Sequence, residues 1–439
     1  MAKIFGGSAG PSGSAIMACA GKARVVLLTG NSLCHNPRAF KEASALARAG
    51  YDVDVLGAWL DPSLKARDQS LIDDLPFRFT PVLDVTLPGA RAKLFGLARR
   101  ACRRTSQLAY DLFGMAGPQQ LGLGVERMFR RAMEIPAQLY VAHSEPCLHV
   151  ARRLARAGRQ VGVDMEDWFS EDLLPEDWGR RPIELLRSLE RDVLTNGGYA
   201  TCPSRAMSAA LADAYQCPPP AVVYNAFPLS DRQTLDGALR DRRKRQAPSL
   251  HWFSTTLGPG RGLEDLLAAL AFLDRDMEVH LRGNPAPGFA EWLRTQASEP
   301  TRARLVLHPL VANDQLLSRI AEHDIGFAGE QTYCRNKDLT VSNKILHYLL
   351  GGLAVVASDT RGQHEVAAQA PAAVLLYPQG DARALAGVLD RLLASPESLL
   401  RAKSAALAAA EDTFCWERVS SVLVDSIARA MKCPVRAMR

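Results

Sequence analysis

A glycine-rich junction between a predicted strand and a predicted helix is the first stretch that could do chemistry. Residues 253–264 read Phe-Ser-Thr-Thr-Leu-Gly-Pro-Gly-Arg-Gly-Leu-Glu. Glycines let the backbone approach a ligand closely, and the amino end of a helix favours an anion. Arg261 adds a planar cation suited to phosphate. We therefore predict that Gly258, Gly260 and Arg261 bind phosphate, the alternative being an ordinary loop with a solvated arginine.

A second stretch with chemical potential lies at residues 342–359, which read Ser-Asn-Lys-Ile-Leu-His-Tyr-Leu-Leu-Gly-Gly-Leu-Ala-Val-Val-Ala-Ser-Asp. The serine suits a helix start and the two glycines suit its end, so a helix followed by a buried strand is predicted. Asn343, Lys344 and His347 then share one helix face near its positive end. Lys344 is placed there to neutralise a diphosphate, the alternative being an ordinary surface lysine.

A third stretch, residues 91–104, is strongly basic. It holds six lysines and arginines and no acid, with leucines and a phenylalanine between them. A basic amphipathic helix suits an anionic membrane surface. A solvated helix face explains the same pattern, and the sequence leaves both interpretations open.

The elements that must position these groups are alternating strands and helices. Short apolar runs predict buried strands, and amphipathic stretches between them predict helices. In the first half, the predicted strands are Arg24–Leu28, 52–56, 138–142, 160–163, Tyr199–Cys202 and 222–224. In the second half, they are 249–253, 277–281, 304–307, 324–327, 353–357 and 373–376. This alternation indicates parallel sheets covered by helices on both faces.

The same pattern divides the chain into five parts. These are a disordered extension (1–21), a Rossmann-like domain (22–230), a polar linker (231–247), a second Rossmann-like domain (248–413) and a helix that crosses back to the first domain (414–432). Ligands of open α/β sheets bind at the carboxyl ends of the strands. The predicted site is therefore the cleft between the two domains.

Length and composition limit the classes of protein. A chain of 439 residues predicts two or three domains, and 47% hydrophobic with 23% charged residues is typical of a globular protein. No apolar stretch reaches the roughly 20 residues of a membrane helix. A net charge of +6 is too mild for a dedicated nucleic-acid binder. Nine cysteines without a CxxC pair predict scattered thiols in a reducing cytoplasm.

Several catalytic signatures are missing from the sequence. It contains no GxGxxG, no P-loop and no HExxH, and it has no GxSxG elbow at a strand-to-helix turn, since the GGSAG of residues 6–10 lies in the poorly patterned extension. An ordinary dinucleotide site, a P-loop nucleotidase, an α/β-hydrolase and a zinc protease of that type are therefore disfavoured.

Six segments in order resemble the retaining GT-B glycosyltransferases of the large family-four type. They are residues 36–53, 141–144, 163–168, 223–225, 255–262 and 343–356. The resemblance covers nearly everything from Arg24 to about Val424. It implies two doubly wound Rossmann-like domains facing across a cleft, with a C-terminal crossover helix. It also implies transfer of a sugar from a nucleotide-diphosphate sugar with retained configuration, without a metal or cofactor.

The resemblance assigns roles to residues on both sides of the cleft. His143 would be catalytic and would contact the donor sugar, the alternative being a strand-end histidine held by backbone groups. The implied donor-binding residues are Gly30, Thr256, Gly258, Gly260, Arg261, Asn343, Lys344 and His347. The implied acceptor-side residues are Arg38, Glu145 and Glu166. Arg261 and Lys344 would stabilise the departing diphosphate, so no protein nucleophile is needed.

Two departures from the family pattern suggest altered donor contacts. The second carboxylate of the family's E-x7-E pair falls at His347, and the arginine of its "GRL" loop falls at Thr256. Two alternatives therefore stay open: a GT-B sugar-nucleotide epimerase, which would need cleft carboxylates, and a catalytically weak GT-B scaffold that binds a partner enzyme. Donor hydrolysis separates a transferase from a scaffold.

The resemblance also predicts partners and location. We expect a nucleotide-sugar donor and a glycan or lipid-linked acceptor, in the synthesis of a surface polysaccharide or glycolipid. No nucleic-acid partner is expected. The predicted location is the cytoplasm, with the basic segment as the contact to the inner face of the membrane.

Overall fold

The computed structural model describes residues 22–432 except 88–89, 243–246 and 274. The side chains of residues 90–100, 103, 175 and 180 also lie outside the described part. The predicted extension over residues 1–21 therefore lies outside the described residues. So do most of the basic side chains of residues 91–104.

The first domain is a seven-stranded, fully parallel sheet with helices on both faces. Its strands are β1 Arg24–Leu28, β2 Asp52–Trp59, β3 Arg78–Asp84, β4 Leu139–Ala142, β5 Val161–Asp164, β6 Tyr199–Cys202 and β7 Ala221–Val222. Its helices are α1 Pro37–Arg48, α2 Pro62–Ile72, α3 Ala90–Phe113, α4 Pro118–Leu121, α5 Val125–Glu134, α6 Glu145–Arg156, α7 Ile183–Asn196 and α8 Arg205–Tyr215. The strand order is β3-β2-β1-β4-β5-β6-β7. The order reverses between β1 and β4, which is the switch point of a doubly wound sheet.

The second domain repeats this arrangement with six parallel strands. They are β8 Ser249–Leu257, β9 Glu278–Pro285, β10 Leu305–His308, β11 Ile325–Ala328, β12 Ala354–Ser358 and β13 Val374–Tyr377, in the order β10-β9-β8-β11-β12-β13. Its helices are α9 Leu263–Leu270, α10 Phe289–Gln296, α11 Glu299–Ala303, α12 Asn313–Ala321, α13 Arg335–Leu339, α14 Asn343–Gly351, α15 Arg361–Gln369, α16 Ala382–Leu392 and α17 Pro396–Asp412. Two parallel-sheet domains confirm the predicted fold class.

Close packing of α14 on the second sheet fixes the position of its amino end relative to the strands. Gly326 of β11 faces the ring of Tyr348, and a Cβ at that glycine would lie 2.1 Å from the ring. Ser342 caps the helix by accepting a hydrogen bond from the amide of Lys344, and Gly352 ends it in the left-handed conformation. The helix start therefore lies at the carboxyl end of the sheet.

The last helix, α18 Trp416–Lys432, packs against α1, β6 and β7 of the first domain. The amide of Trp416 donates a hydrogen bond to the carbonyl of Phe227, 2.9 Å away. Trp416, Val419, Leu423 and Ile427 are buried in a core shared with the first domain. The chain therefore returns to the domain in which it began.

Two segments have features that the sequence pattern did not indicate. Strand β3 carries Pro81 and is absent from the predicted strands; it lies at the edge of the sheet, where a missing backbone donor is tolerated. The polar segment predicted as a linker is bound to the second domain, because Asp236 pairs with Arg319 and Asp241 pairs with Arg282.

Candidate active site

A cleft with a volume of about 910 Å³ lies between the two domains. Its first-domain wall comes from the loop before α1 and the loop after β5, and its second-domain wall from the loops after β8, β10 and β11. Predicted site residues that line it are Arg38, Glu166, Gly260, Arg261, Asn343 and Lys344. These residues lie at carboxyl ends of parallel strands or in the helices that follow them, where such folds bind ligands.

The glycine-rich loop is tied closely to the neighbouring strand end. Gly262 has φ +76°, and a Cβ there would lie 1.9 Å from the carbonyl oxygen of Gly329, so only glycine fits. The exposed Arg261 is held by a 2.9 Å hydrogen bond from its Nη1 to Ser254 Oγ. Arg261 lines the cleft, where a phosphate could accept hydrogen bonds from its guanidinium.

Lys344 is paired with an acid on the cleft wall. Its Nζ lies 2.6 Å from Glu330 Oε1, which also accepts a 2.8 Å hydrogen bond from Ser342. Burial alone would raise the pKa of Glu330, but the Lys344 ammonium and these hydrogen bonds outweigh it and lower that pKa. Glu330 is therefore ionised. A diphosphate at Lys344 would share the ammonium with it.

His347 does not line the cleft. Its ring lies against Phe227 with 3.5 Å between ring centroids, and it meets Phe253 edge-on at 5.5 Å. Its Nδ1 lies 3.1 Å from the carbonyl oxygen of Asn343. Burial lowers the pKa of His347 to about 3, so the ring is neutral near pH 7. The structure thus gives His347 aromatic neighbours instead of a position on the ligand-facing surface.

Three other predicted donor residues also lie off the cleft surface. Thr256 lies in β8 opposite Asn284 of β9. Gly258 is buried next to Ala286. Gly30 is buried under α6, where a Cβ would lie 2.8 Å from Ser144 Oγ and clash.

The first-domain wall is backed by a buried cluster of charges. Helix α1 starts at the capping residue Asn36 and so places Arg38 and Glu42 on its buried face, four residues apart. Arg38, 2% exposed, donates to both carboxylate oxygens of Asp164 at the end of β5 and to the carbonyl of Val223. The pKa of Arg38 is raised because Asp164 outweighs the cost of burial. Its donors are therefore largely occupied within the domain.

His143 completes this cluster and is 0% exposed. Its Nε2 lies 3.3 Å from Glu42 Oε2, and its Nδ1 lies 3.4 Å from Asp164 Oδ2. Burial works to lower the pKa of His143, but the two carboxylates raise it to about 10. His143 is therefore an imidazolium buried between two acids, and it does not line the cleft. Glu42, His143 and Asp164 are, among the described residues, the one trio of metal-type ligands whose atoms lie within 4.8 Å of one another.

Of the two predicted acceptor-side acids, Glu166 lines the cleft and Glu145 does not. Glu166 lines the cleft, and burial together with the nearby charge of Asp164 raises its pKa to about 8. A carboxyl group with that pKa is largely protonated at pH 7 and can donate a hydrogen bond. Glu145 instead pairs with Arg181 away from the cleft.

Sequence reasoning passed over several residues of the cleft wall. Glu330 lies two residues after the end of β11, so its position after a strand end was the signal for it. His35, Asp167, Arg282 and Lys337 also line the cleft. Asp167 lies within the family-like segment 163–168, but the local sequence does not mark the other three, because the fold brings them to the cleft from separate elements.

The chain is similar to known proteins in structure but matches none of them by sequence in the comparisons made with family models and curated proteins. No protein-family model matches the chain, and no curated protein matches it by sequence. Solved structures do match. Anabaena HepE in complex with UDP has a TM-score of 0.64 at 17% identity, over 92% of this chain and 99% of that one.

Two further structures give the same picture. Sucrose-phosphate synthase from Thermosynechococcus elongatus has a TM-score of 0.67 at 15% identity, over 93% of this chain and 99% of that one. A UDP-forming trehalose-phosphate synthase from Burkholderia xenovorans has a TM-score of 0.64 at 12% identity, over 94% and 100%. The chain has the GT-B fold. This confirms the fold that the six sequence segments predicted.

The helices also bear on whether the chain crosses a membrane. Among the helices in the described ranges, none combines the length and apolar character needed to cross a bilayer.

Proposed function

We propose that this GT-B protein is a glycosyltransferase that takes a sugar from a nucleotide-diphosphate sugar. The observation that carries the proposal is that Arg261 and Lys344 line one cleft, each beside the amino end of a helix. Two cations and helix amides favour a ligand with two linked phosphates. Solved structures of this fold, such as HepE, contain UDP or UDP-glucose, so UDP sugars are the donors to test first.

In the proposed reaction the cations stabilise the negative charge that develops on the departing diphosphate. Arg261 and Lys344 supply the stabilising positive charge from the protein, so we propose that no metal is required. The acceptor hydroxyl attacks from the side of the leaving phosphate, which accepts its proton. The sugar therefore keeps its configuration without a covalent protein intermediate.

The first-domain wall would hold the acceptor. Glu166, with its raised pKa, would donate a hydrogen bond to an acceptor oxygen. We do not assign His143 to the chemistry, because a buried imidazolium between two acids has no free base to offer. The proposed acceptors are glycans or lipid-linked sugars of a surface polysaccharide or glycolipid.

The carboxyl end of helix α3 supports contact with a membrane. Leu108, Leu112, Phe113 and Met115 are all exposed by more than half, within eight residues. Exposed apolar groups next to a basic helix suit an anionic bilayer surface. We expect co-sedimentation with phosphatidylglycerol vesicles that is lost in Leu112→Ser/Phe113→Ser. Equal sedimentation of wild type and variant would contradict the contact.

The test of the function is donor binding and hydrolysis. A panel of nucleotide sugars is screened by thermal shift with EDTA present, and a donor should raise the melting temperature by mass action. Slow release of nucleotide diphosphate identifies a transferase. Arg261→Ala should abolish the shift at donor concentrations that saturate the wild type. Binding without hydrolysis would favour the scaffold, and no binding by any nucleotide sugar would reject the proposal.

A further inference from the structure

Residues 331–341, here called the strap, leave the second domain after β11 and return to it at α14. The two ends of the strap are joined, because Ser342 Oγ donates to Glu330 Oε1 over 2.8 Å. Lys344 binds the same oxygen at 2.6 Å. The ends of the strap are therefore part of the cation site described above.

The middle of the strap is fixed to the other domain. It contains helix α13, whose Leu339 is 0% exposed and packs in the core of the first domain. Ser204 of the first domain donates a 2.6 Å hydrogen bond to the carbonyl of Leu339. Arg335 lies over the ring of Trp168, 4.4 Å from its centroid. The strap thus belongs to one domain by sequence and is packed on the other.

Asn336 makes the most specific of these contacts. It is 0% exposed, and its Nδ2 donates to Asp167 Oδ1 at 2.6 Å and to Asp172 Oδ1 at 2.7 Å. Its Oδ1 accepts from the amide of Trp168 at 2.8 Å and from Thr340 Oγ1 at 3.1 Å. Both donors and the acceptor oxygen are therefore used, and three of the four bonds reach the first domain.

The loop that Asn336 holds, residues 165–172, is the loop that carries Glu166 into the cleft. We propose that Asn336 is a positioning residue: from the donor domain, it orders the loop that presents Glu166 to the acceptor. This role rests on the proposed function. It links the two halves of the reaction, since the ends of the strap are at the cation site and Asn336, in its middle, binds Asp167, the residue after Glu166.

The contact with Asp167 and Asp172 requires an uncharged side chain at position 336 that can donate hydrogen bonds. Asp167 and Asp172 face Asn336 from the first domain, and Lys337 of the strap lies 3.1 Å from Asp172 and 3.9 Å from Asp167. A third carboxylate at position 336 would be repelled by both acids and could not donate to either. The same carboxyl group, once protonated, regains one donor and loses its charge. Asn336→Asp should therefore fail at high pH and recover at low pH.

The experiment compares Asn336→Asp with the matched control Asn284→Asp in the full chain. Asn284 is exposed near the end of β9 in the same domain and is not one of the residues that line the cleft. Amide hydrogen exchange is followed in peptides covering residues 165–172, with protection corrected for intrinsic rates at pH 5.5 and 8. We expect protection in Asn336→Asp to fall by roughly tenfold at pH 8 and much less at pH 5.5. The control should match wild type at both pH values.

Two activity readouts with UDP-glucose separate this inference from the proposed function. In Asn336→Asp, UDP affinity should stay within about twofold of wild type while kcat for hydrolysis falls roughly tenfold at pH 8. Unchanged exchange in residues 165–172, or exchange without the pH difference, overturns the positioning role. So does a loss of UDP affinity that parallels the loss of kcat. Failure of the wild type to bind any nucleotide sugar would instead reject the proposed function. If Asn336→Asp does not fold, Asn336→Ser, with one donor fewer, should show the same local loss without the pH dependence.

Discussion

The two walls of the cleft use their charges in opposite ways. On the second-domain wall, the exposed Arg261 donates a hydrogen bond to one side chain among the described residues, Ser254, and Lys344 shares one carboxylate oxygen with Ser342. On the first-domain wall, the charges behind the surface neutralise one another in the interior, with Arg38 and His143 placed between Asp164 and Glu42. The first set has donors left for a ligand, and the second has almost none.

This difference shows why charge type alone does not reveal function. Arg38 and His143 have the residue types expected of binding and catalytic groups, and both follow the family pattern. Their burial converts them into supports for the ends of β4 and β5. Each prediction below tests whether a given charge acts on the fold or on the ligand.

The largest expected effect is on the fold. Arg38→Met leaves Asp164 buried without its bidentate partner, so we expect a loss of about 3–5 kcal/mol in the free energy of unfolding. Arg130→Met is the control, because Arg130 also pairs with a carboxylate, Glu126 Oε1 at 2.9 Å, but these two side chains are 71% and 52% exposed. That control should lose less than about 1 kcal/mol. Urea unfolding measures both, and equal losses would contradict the difference between buried and exposed pairs.

The next effect concerns the pH dependence of stability. The pKa of His143 rises from its ordinary 6.5 to about 10 on folding, so the charged ring stabilises the folded state. That contribution is complete below about pH 6.5 and is lost as the pH rises towards 10. The free-energy difference between wild type and His143→Gln should therefore be about 2–4 kcal/mol at pH 6 and fall steadily up to pH 10. A difference that grows with pH would mean that His143 is neutral in the folded protein.

A smaller effect should appear in ligand binding without a loss of stability. Lys344→Met should weaken UDP binding by about 1.5–3 kcal/mol, the range of a charge-assisted hydrogen bond. Lys65→Met is the control, since Lys65 makes a similar 2.7 Å ion pair with Asp84 outside the cleft and is 18% exposed, against 15% for Lys344. Calorimetry with UDP measures both variants. If both bind UDP like wild type, Lys344 is a structural cation and the comparison of the two walls fails.

Glu330→Gln sharpens the same comparison. It removes the carboxylate that shares the Lys344 ammonium with the ligand, so UDP should bind roughly threefold more tightly, about 0.6 kcal/mol. Weaker binding would show that Glu330 orients Lys344 more than it competes for it.

The sequence predicted the fold well because its signals are local and repeated. Apolar strand runs alternate with amphipathic helices, and each of the six segments with a family resemblance lies at a strand or in the helix or loop beside one. The missed strand, β3, has Pro81 within it and so lacks a clear strand pattern. Its edge position removes the backbone hydrogen bond that proline would have broken.

The candidate site was less predictable because exposure is a property of the whole fold. Arg261 and Lys344 lie at strand-to-helix junctions, where local sequence indicates a ligand position. The sequence around His143 does not indicate that its Nε2 lies 3.3 Å from Oε2 of Glu42, which is 101 residues earlier in the chain. Asn336 has no local motif at all, because its partners Asp167 and Asp172 come from the other domain.

The smallest expected effect is at His347, where family resemblance and structure point in different directions. The resemblance puts a donor-facing group at this position, whereas the structure packs the ring on Phe227, and its pKa of about 3 keeps it neutral. His347→Phe keeps an aromatic ring at the contact and removes the titrating group. We expect UDP affinity within about 0.5 kcal/mol of wild type at pH 6 and at pH 8. UDP itself gains a proton over this range, so any change common to both proteins comes from the ligand. Calorimetry with UDP at both pH values measures this difference. Tighter binding at pH 6 in wild type alone would require a protonated imidazole facing the diphosphate. His347 would then act on the ligand, as proposed for Arg261 and Lys344, instead of packing on Phe227.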